Sequence, residues 1–268
     1  MLIVIKVGGS ILGEGVHPNI FEDLKAVAST NKVILVHGGG KEVTEVAEKL
    51  GKEQKFVVSP EGIRSRYTDW ETVVIYNMVM SGKINKEIVT TLQRVGIPAV
   101  GLSGVDGGLI RAERKKRLII VDERGRKRII DGGYTGKIKY VDAALLNLLL
   151  RNYLPVISPV ALGDEYELLN VDGDRAAAYV AGSVKADKVI FLTDVQGLIL
   201  DGRLVEKISA AEAKNLLPKI GFGMEKKVLA AVEAVEMGVK ESVIASGLSE
   251  SPISTALKGE GCTVIYGG

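Results

Sequence analysis

The hydrophobic positions form short continuous runs, each separated from the next by an amphipathic stretch. Runs that are apolar at every position predict strands covered on both faces, as in a parallel sheet. The predicted strands are residues 3–7, 33–36, 97–102, 154–159, 188–193, 242–245 and 262–266. Apolar residues at helical spacing predict helices over residues 19–29, 41–50, 70–95, 142–151, 175–184, 210–217 and 224–237.

Strands that alternate with helices indicate the α/β class. We predict a three-layer α/β/α sandwich with a mostly parallel central sheet, shared by two lobes at residues 1–161 and 162–268. Two stretches differ from this alternation of strands and helices. Residues 70–95 form the longest helical pattern, with a break expected at Ser81-Gly82, and residues 109–139 predict short two-sided β segments with a hairpin turn at 123–126.

The composition narrows the class of protein. The 268 residues are 46% hydrophobic and 25% charged, with a net charge of +2, so nothing favours nucleic acid or a membrane surface as partner. No apolar run approaches the ~20 residues of a membrane span, and a strand at the start leaves no room for a signal peptide. The single cysteine, Cys262, excludes an internal disulfide. These features predict a cytoplasmic protein.

Two of the apolar runs end in glycines. Lys6 and the pair Gly8-Gly9 end the first, and His37 followed by three glycines at 38–40 ends the second. Glycine lets the backbone approach a charged oxygen, and the N–H groups that open the next helix then point at it. These turns predict anion sites, although a strand-end lysine and a tight turn are the ordinary alternatives. Neither a P-loop nor a dinucleotide-binding glycine motif is present.

Further polar clusters follow later strands. Asn170, Asp172 and Asp174 precede a predicted helix, where one of them can cap it while the others organise lysines or bind magnesium. Thr193-Asp194 closes a buried strand, at the edge where ligands of parallel sheets lie. Lys226 and Lys227 lie in the first turn of a long predicted helix, next to the positive end of the helix dipole. Two positive charges at that end indicate either that an anion binds nearby or that this helix end is loosely held at the surface. Arg66 can grip a carboxylate or form a surface ion pair.

His17 and His37 stand apart, each beside a turn, so no metal pair is predicted and we expect no protein-built metal site.

Taken in order, these motifs resemble those of the amino-acid kinase family. They are Lys-x-Gly-Gly at 6–9, His-Gly-Gly-Gly at 37–40, Arg-x-Thr-Asp at 66–69, Asn-x-x-x-Asp at 170–174, Thr-Asp-Val-x-Gly at 193–197 and Gly-Met-x-x-Lys at 223–227. The match spans the whole chain, and six motifs in a fixed order are more specific than any one of them.

Within the family, the Arg-x-Thr-Asp element and the chain length are similar to the N-acetylglutamate kinase branch. Residues 65–72 and 134–138 resemble the group whose substrate is linked to the carrier protein LysW. The resemblance implies phosphorylation, with ATP and Mg²⁺, of the side-chain carboxylate of aminoadipate or glutamate whose amino group is joined to the carrier. It also implies lysine and arginine biosynthesis and a homodimer. A kinase of free N-acetylglutamate, or a non-catalytic nucleotide-binding regulator, remains an alternative.

The resemblance also implies residue roles. Lys6 and Lys227 would flank the transferring phosphoryl group, with Asp174 holding both lysines, while Lys226 is a neighbour of undecided role. The acyl substrate and the dimer contact would lie in residues 1–161, and ATP in residues 162–268. The acyl substrate would contact Gly39, Gly40, Arg66 and Asn170. ATP would contact Gly8, Gly9, Asp194, Gly197, Ile199, Ile220 and Gly221.

The region 111–128 is densely basic. A run of charges is ordinarily a solvated surface. Our hypothesis is that this hairpin docks an acidic carrier, since a basic patch speeds association with an acidic partner. Its cations are Arg114, Lys115, Lys116, Arg117, Arg124, Arg126, Lys127 and Arg128.

Overall fold

The structure, a computed structural model, describes residues 1–11, 18–60, 62–221 and 223–267. Its strands, in chain order, are β1 Leu2–Val7, β2 Lys32–His37, β3 Phe56–Val58, β4 Arg64–Arg66, β5 Ala99–Ser103, β6 Ile110–Arg114, β7 Arg117–Val121, β8 Lys127–Asp131, β9 Gly136–Val141, β10 Leu154–Ser158, β11 Val160–Gly163, β12 Leu168–Asn170, β13 Lys188–Thr193, β14 Ile199–Leu200, β15 Arg203–Leu204, β16 Lys207–Ser209, β17 Glu241–Ser246 and β18 Thr263–Tyr266. Its α-helices are α1 Pro18–Ala28, α2 Gly40–Lys49, α3 Trp70–Asn77, α4 Asn85–Arg94, α5 Ala143–Leu149, α6 Gly173–Ser183, α7 Ala210–Leu216, α8 Met224–Glu236 and α9 Pro252–Lys258.

The central sheet has eight strands in the order β16-β18-β17-β13-β1-β2-β10-β5. β1 lies between β2 and β13 and runs parallel to both. β17, β10 and β5 continue the parallel arrangement. β18 runs antiparallel to β17, and β16 runs parallel to β18. The mostly parallel sheet is therefore confirmed, and the carboxyl ends of β13, β1 and β2 meet at one edge.

Both faces of the sheet are buried under helices. Along β1, Ile3 and Ile5 pack into one core cluster while Val4 packs into the other, and all three are 0% exposed. Helices α6 and α8 pack on the Val4 face, and α1, α4 and α9 pack on the opposite face. Because successive side chains of a strand point to opposite faces and all of them are apolar here, both faces of the sheet must be covered. The predicted three-layer sandwich is therefore confirmed.

The two predicted lobes each contribute strands to the sheet. β1, β2, β10 and β5 precede residue 161, and β13, β16, β17 and β18 follow residue 162. The predicted boundary falls inside β11, which pairs with β6 on one side and β12 on the other. A four-stranded sheet, β12-β11-β6-β9, therefore joins segments from both sides of the boundary.

The long helical pattern does not break at Ser81-Gly82. The chain instead passes from α3 through a π-helical segment, Met78–Ile84, into α4. The wider π turn absorbs the small residues without ending the helix. As a result, Met80 and Ile84 lie against Gly39 at the end of the second strand.

The β-rich region contains the predicted hairpin. β7 and β8 pair antiparallel, with Ile119 opposite Ile129, and the 123–126 turn is closed by hydrogen bonds between Asp122 and Arg126. Several small features were not predicted, among them β11, β16, the β3–β4 hairpin, the short β14–β15 pair and helix α9. No helix in the described residues combines the length and apolar composition needed to span a bilayer.

Candidate active site

A buried carboxylate lies between two lysines at the edge of the central sheet. Lys6 is near the end of β1, Asp174 is in the first turn of α6 and Lys227 is in the first turn of α8. Lys6 Nζ is 2.6 Å from Asp174 Oδ1, and Lys227 Nζ is 3.8 Å from Asp174 Oδ2. The structure thus brings together the three residues predicted to be catalytic.

The charge state of Asp174 follows from its neighbours. Burial raises the pKa of Asp174, but the positive charges of Lys6 and Lys227 outweigh it and hold the pKa below the ordinary value. The carboxylate is ionised at neutral pH and can keep both ammonium groups in place. Asp172 caps α6 instead, because its Oδ1 accepts hydrogen bonds from the N–H groups of Asp174 and Arg175 at 2.9 and 3.0 Å. Capping and lysine positioning therefore belong to different carboxylates.

The glycine turns pack against each other. A Cβ on Gly9 would lie 2.9 Å from the Gly39 nitrogen, and one on Gly38 would lie 2.9 Å from the Gly9 nitrogen. Gly39 has a φ of +150°, and its Cβ would overlap Ile84 Cδ1 at 2.1 Å. Gly39 is also the N-cap of α2 and supplies no side-chain cap, so the first N–H groups of this helix are available to a ligand. Gly40 begins the helix.

Arg66 and Asn170 extend the site away from the lysines. Arg66 Nη2 donates to the Gly40 carbonyl at 2.7 Å and to Thr44 Oγ1 at 2.8 Å. Burial lowers the pKa of the Arg66 guanidinium, which remains charged at neutral pH. Asn170 Nδ2 donates to Thr68 Oγ1 at 3.0 Å. Both side chains are therefore held by hydrogen bonds before any ligand binds.

These residues line one cavity of about 640 Å³. Its walls include every residue predicted to bind the acyl substrate, and Lys6 and Asp174 lie at its surface as well. That volume is enough for an amino-acid derivative. The predicted members of the lining are Lys6, Gly9, Gly39, Gly40, Arg66, Asn170 and Asp174.

Some cavity residues were not identified from the sequence as substrate contacts. Arg64 comes from β4, and Lys115 follows β6 at the root of the basic hairpin. Thr135, also on the wall, has a buried hydroxyl without a hydrogen-bond partner in the described residues. The alternation of buried and more exposed side chains along β6 indicates which residues of that strand face inward. It gives no such indication for Lys115, because β6 ends at Arg114.

The adjacent lysines of α8 point to different partners. Lys226 Nζ donates to the Arg64 carbonyl at 2.7 Å, although 162 residues separate them. Lys226 lines the cavity, while Lys227 contacts Asp174. Consecutive helix positions are about 100° apart, so the two side chains leave the helix in different directions, although the charge of Lys226 also helps to lower the pKa of Asp174. Lys226 therefore has a hydrogen-bond partner of its own, and the roles of both lysines stay predictions.

Two of the predicted nucleotide contacts, Gly8 and Gly9, follow the end of β1, next to β13. Gly8 donates its N–H to the Leu192 carbonyl of β13 at 3.1 Å, which places it where the segment starting at Asp194 leaves that strand. Asp194 is exposed, and Ile199 is 52% exposed.

Three further contacts of this set lie in loops. Gly197 is buried against Thr263, whose Oγ1 accepts the Leu198 N–H at 2.8 Å and anchors the loop. Ile220 and Gly221 precede α8. Of the seven predicted nucleotide contacts, only Gly9 lines the cavity among the described residues, and all seven assignments stay predictions.

Of the two histidines, the structure describes His37. His37 is buried, with its pKa lowered to about 4 by burial, so it is neutral at physiological pH. His17 lies outside the described residues. In the part of the chain that the structure describes, no three His, Cys, Asp or Glu side chains converge to hold a metal ion.

The basic hairpin is only partly free to meet a partner. Arg114 donates to the Gly133 carbonyl at 2.6 Å, and Lys115 faces the cavity. Arg126 and Arg128 both pair with Asp122 at the hairpin tip. Within the described residues, no ion pair engages the remaining cations, which are Lys116, Arg117, Arg124 and Lys127.

Several known proteins are similar to this chain in sequence. The sequence profile of the amino acid kinase family matches residues 1–246. A provisional [LysW]-aminoadipate/[LysW]-glutamate kinase of Cenarchaeum symbiosum is 60% identical over 268 residues, covering 100% of both chains. The [LysW]-aminoadipate/[LysW]-glutamate kinase of Saccharolobus islandicus is 46% identical and covers 99% of this chain and 100% of its own.

Solved structures agree on the architecture. An N-acetylglutamate synthase from Neisseria gonorrhoeae superposes with a TM-score of 0.80 at 22% identity, covering 100% of this chain and 59% of that one. At this identity the likeness supports the fold alone.

Proposed function

We propose that this chain, a phosphotransferase that belongs to the amino acid kinase family, phosphorylates an amino acid held by a carrier protein. The acceptor is the side-chain carboxylate of 2-aminoadipate, glutamate or both, linked through the amino group to the carrier LysW. ATP is the phosphoryl donor. The full-length similarity to kinases named for these substrates supports this specificity over free N-acetylglutamate.

The geometric observation that carries the proposal is the position of the lysine–carboxylate cluster on a cationic cavity. Lys6 and Asp174 line the cavity, and Lys227 contacts Asp174 from α8. An anionic acyl group can therefore enter beside two ammonium groups that are already oriented. A non-catalytic regulator has no need for this arrangement.

The chemistry needs charge neutralisation more than proton transfer. A carboxylate is ionised at pH 7, so no general base is required. One of its oxygens forms a bond to the γ-phosphorus of ATP while the bond to the ADP oxygen breaks, giving an acyl phosphate and ADP. Both reactants are anionic, and Lys6 and Lys227 offset the charge on the transferring group. Asp174 keeps the lysines at fixed positions and does not react.

ATP would approach from the β13 side. Gly8 and Gly9 would face its phosphates, and the segments around Asp194 and Gly221 would hold the rest of the nucleotide. Magnesium, when bound, neutralises phosphate charge. Because no cluster of metal-ligating side chains forms in the described residues, the phosphates of ATP themselves would carry the ion.

The carrier would dock on the outer face of the β7–β8 hairpin. Ile119 and Ile129 are paired across the hairpin and are 53% and 65% exposed. Arg117 and Lys127 lie on the same face, two positions along from these isoleucines. An apolar centre with cations at its edges suits a folded acidic partner.

Docking is tested by replacing Lys116, Arg117 and Lys127 with glutamine. We expect the KM for the carrier-linked substrate to rise, more at low than at high ionic strength, while the KM for ATP stays the same. Exposed Lys25 on α1, replaced likewise, is the control. An unchanged carrier KM at every salt concentration would remove the hairpin from the docking surface.

In the cell, the enzyme would act in the cytoplasm in lysine biosynthesis, and in arginine biosynthesis where glutamate is the acceptor. We further propose a homodimer formed by the lobe at residues 1–161. Edge strand β5, paired with β10 alone in the central sheet, supports this placement. Light scattering on the purified enzyme tests it, and a monomer mass contradicts it.

The function is tested by ADP release with magnesium and ATP. Free N-acetylglutamate, carrier-linked glutamate and carrier-linked aminoadipate are offered separately. We expect turnover with one or both carrier-linked substrates and little with the free compound. Efficient turnover of free N-acetylglutamate alone would overturn the proposed specificity, and loss of turnover in Lys6→Ala would exclude a contaminating kinase.

A further inference from the structure

The cavity holds more positive charge than its own carboxylates can balance. Among the described lining residues, six side chains are cationic and two are carboxylates. Asp174 pairs with Lys6, and Arg175 pairs with Glu233, which lies outside the cavity. The cations with no carboxylate partner in the described part of the chain are Arg64, Arg66, Lys115 and Lys226. Grouped like charges are unfavourable unless an anion joins them, so the cavity suits a ligand with several negative groups.

The linked amino acid alone accounts for only part of this charge. An amino acid coupled through its nitrogen keeps two carboxylates. The side-chain carboxylate belongs beside Lys6, where phosphorylation takes place, and Arg66 is the predicted contact for the other. Lys226 donates to the Arg64 carbonyl, and the Arg64 guanidinium stacks 4.0 Å from the centre of the Phe56 ring.

Lys115 is left without a partner. No hydrogen bond or ion pair engages its ammonium group in the described residues, although it lines the cavity. Partial burial lowers the pKa of Lys115, and the charge of Arg175 lowers it further. Lys137 and Lys226 act in the same direction, and only the charge of Asp172 opposes them. Cations from three elements therefore surround the place where a ligand's negative group would sit.

The backbone fixes Lys115 between the cavity and the docking hairpin. Its N–H donates to the Thr135 carbonyl at 2.9 Å. Gly132 approaches so closely that a Cβ there would lie 1.5 Å from the Lys115 carbonyl oxygen. Leu118, on the inner face of β7, lines the same cavity. A carrier segment that leaves the hairpin and enters the cavity must therefore pass the Lys115 side chain.

We propose that Lys115 binds a carboxylate of the carrier segment next to the linked amino acid, and so makes the enzyme prefer carrier-linked substrates over amino acids with a neutral acyl cap. This inference rests on the proposed function and adds a specificity-determining residue to it. It separates Lys115 from the rest of the basic hairpin, whose cations would act on docking at the surface.

The test uses two small molecules that differ in one charge. The amino acid that the wild-type enzyme phosphorylates is N-acylated with a glutaryl group, which ends in a carboxylate, or with the corresponding glutaramide, which ends in a neutral amide. Inhibition constants are measured against the carrier-linked substrate for wild type, Lys115→Met, Lys115→Arg and Lys116→Met. Lys116 is the matched control, because it is the adjacent lysine, is exposed to solvent like Lys115, and does not line the cavity.

We expect the wild type to bind the carboxylate compound about tenfold to a hundredfold more tightly than the amide, the range for a hydrogen bond to a charged group. Lys115→Met should lose this preference while binding the amide compound as before, and Lys115→Arg should keep most of it. Lys116→Met, which we expect to weaken carrier docking, should keep the wild-type ratio of the two inhibition constants. A preference that survives in Lys115→Met, or is absent from wild type, overturns the proposal. Failure of the proposed function appears elsewhere, as no wild-type turnover of either carrier-linked substrate.

Discussion

The buried imidazole of His37 should make this fold sensitive to mild acid. Asn85 Nδ2 lies 3.2 Å from His37 Nε2, and His37 Nδ1 lies 2.9 Å from the Gly38 carbonyl. Lys86 donates to Asn85 Oδ1 at 3.0 Å, which turns the amide so that its N–H₂ faces the histidine. The assigned tautomer is therefore the neutral one with its hydrogen on Nδ1. A second proton on Nε2 would face a donor and would have no acceptor.

The magnitude follows from the difference between folded and unfolded states. Burial lowers the pKa of His37 to about 4 in the fold, against its ordinary value of 6.5 in the unfolded chain. As the pH falls, the unfolded chain takes up the proton first, so stability is complete above pH 6.5 and declines until about pH 4. The full difference corresponds to about 3 kcal/mol, and about 2 kcal/mol of it is lost between pH 7 and pH 5.

The assay is denaturant unfolding of wild type and His37→Asn at pH 7 and pH 5. Asparagine can keep the hydrogen bond that Nδ1 donates to the Gly38 carbonyl, although it does not reach the position of Nε2, and it does not titrate. It will lower the free energy of unfolding at both pH values, because a buried ring is lost. The prediction concerns the pH dependence: the loss from pH 7 to pH 5 should be about 2 kcal/mol smaller in the variant than in wild type.

Ser242→Ala is the matched control. Ser242 is buried and donates to the Ala231 carbonyl at 2.9 Å, so its loss destabilises the protein without removing a titrating group. It should keep the wild-type pH dependence. Carboxylates titrate in all three proteins and cancel from the comparison. Equal pH dependence in His37→Asn and wild type would refute the reasoning, since His37 would then be protonated as easily in the fold as in the unfolded chain.

Three further predictions follow from the site. Lys6→Met should abolish turnover and lower the free energy of unfolding by about 3 kcal/mol, because it removes the closest partner of the buried Asp174; adding Asp174→Asn should restore stability but not turnover, and thermal melts with activity assays check both. Lys226→Met should raise the KM for the acyl substrate with little change in kcat, since a contact that closes the cavity is lost; steady-state kinetics decide, and an unchanged KM contradicts it. Gly39→Ala should abolish turnover because its Cβ meets Ile84, and adding Ile84→Ala should recover part of the activity, as a double-mutant comparison of kcat/KM would show.

The sequence was most informative where one segment indicated both the burial of a strand and its position relative to the site. β1 is apolar at nearly every position and ends in glycines, so both its burial and its place at the wall of a cavity could be predicted. Asp174 was harder, since capping and lysine positioning use the same side-chain chemistry. Only the structure assigns capping to Asp172. The local pattern alone left two roles open for one cluster.

Lys115 and the α8 lysines show what the sequence could not decide. In a run of basic residues, the residue that faces inward depends on where the strand ends, and β6 ends one residue before Lys115. For Lys226 and Lys227, the helix phase relative to β4 determines which one meets Asp174. Both questions depend on the relative position of distant segments, which neither periodicity nor composition records.

The π-helical segment at Met78–Ile84 determines the rotational phase of the helix that follows it. A π turn holds more residues than an α turn, so rewinding this segment as ordinary helix with its number of residues unchanged would rotate everything after it by about 100°. Asn85 would then leave His37, and Ile84 would leave Gly39. The wide turn of this one helix is therefore part of the active-site geometry, because it takes up one extra residue and keeps Ile84 and Asn85 aimed at the glycine turn and the histidine.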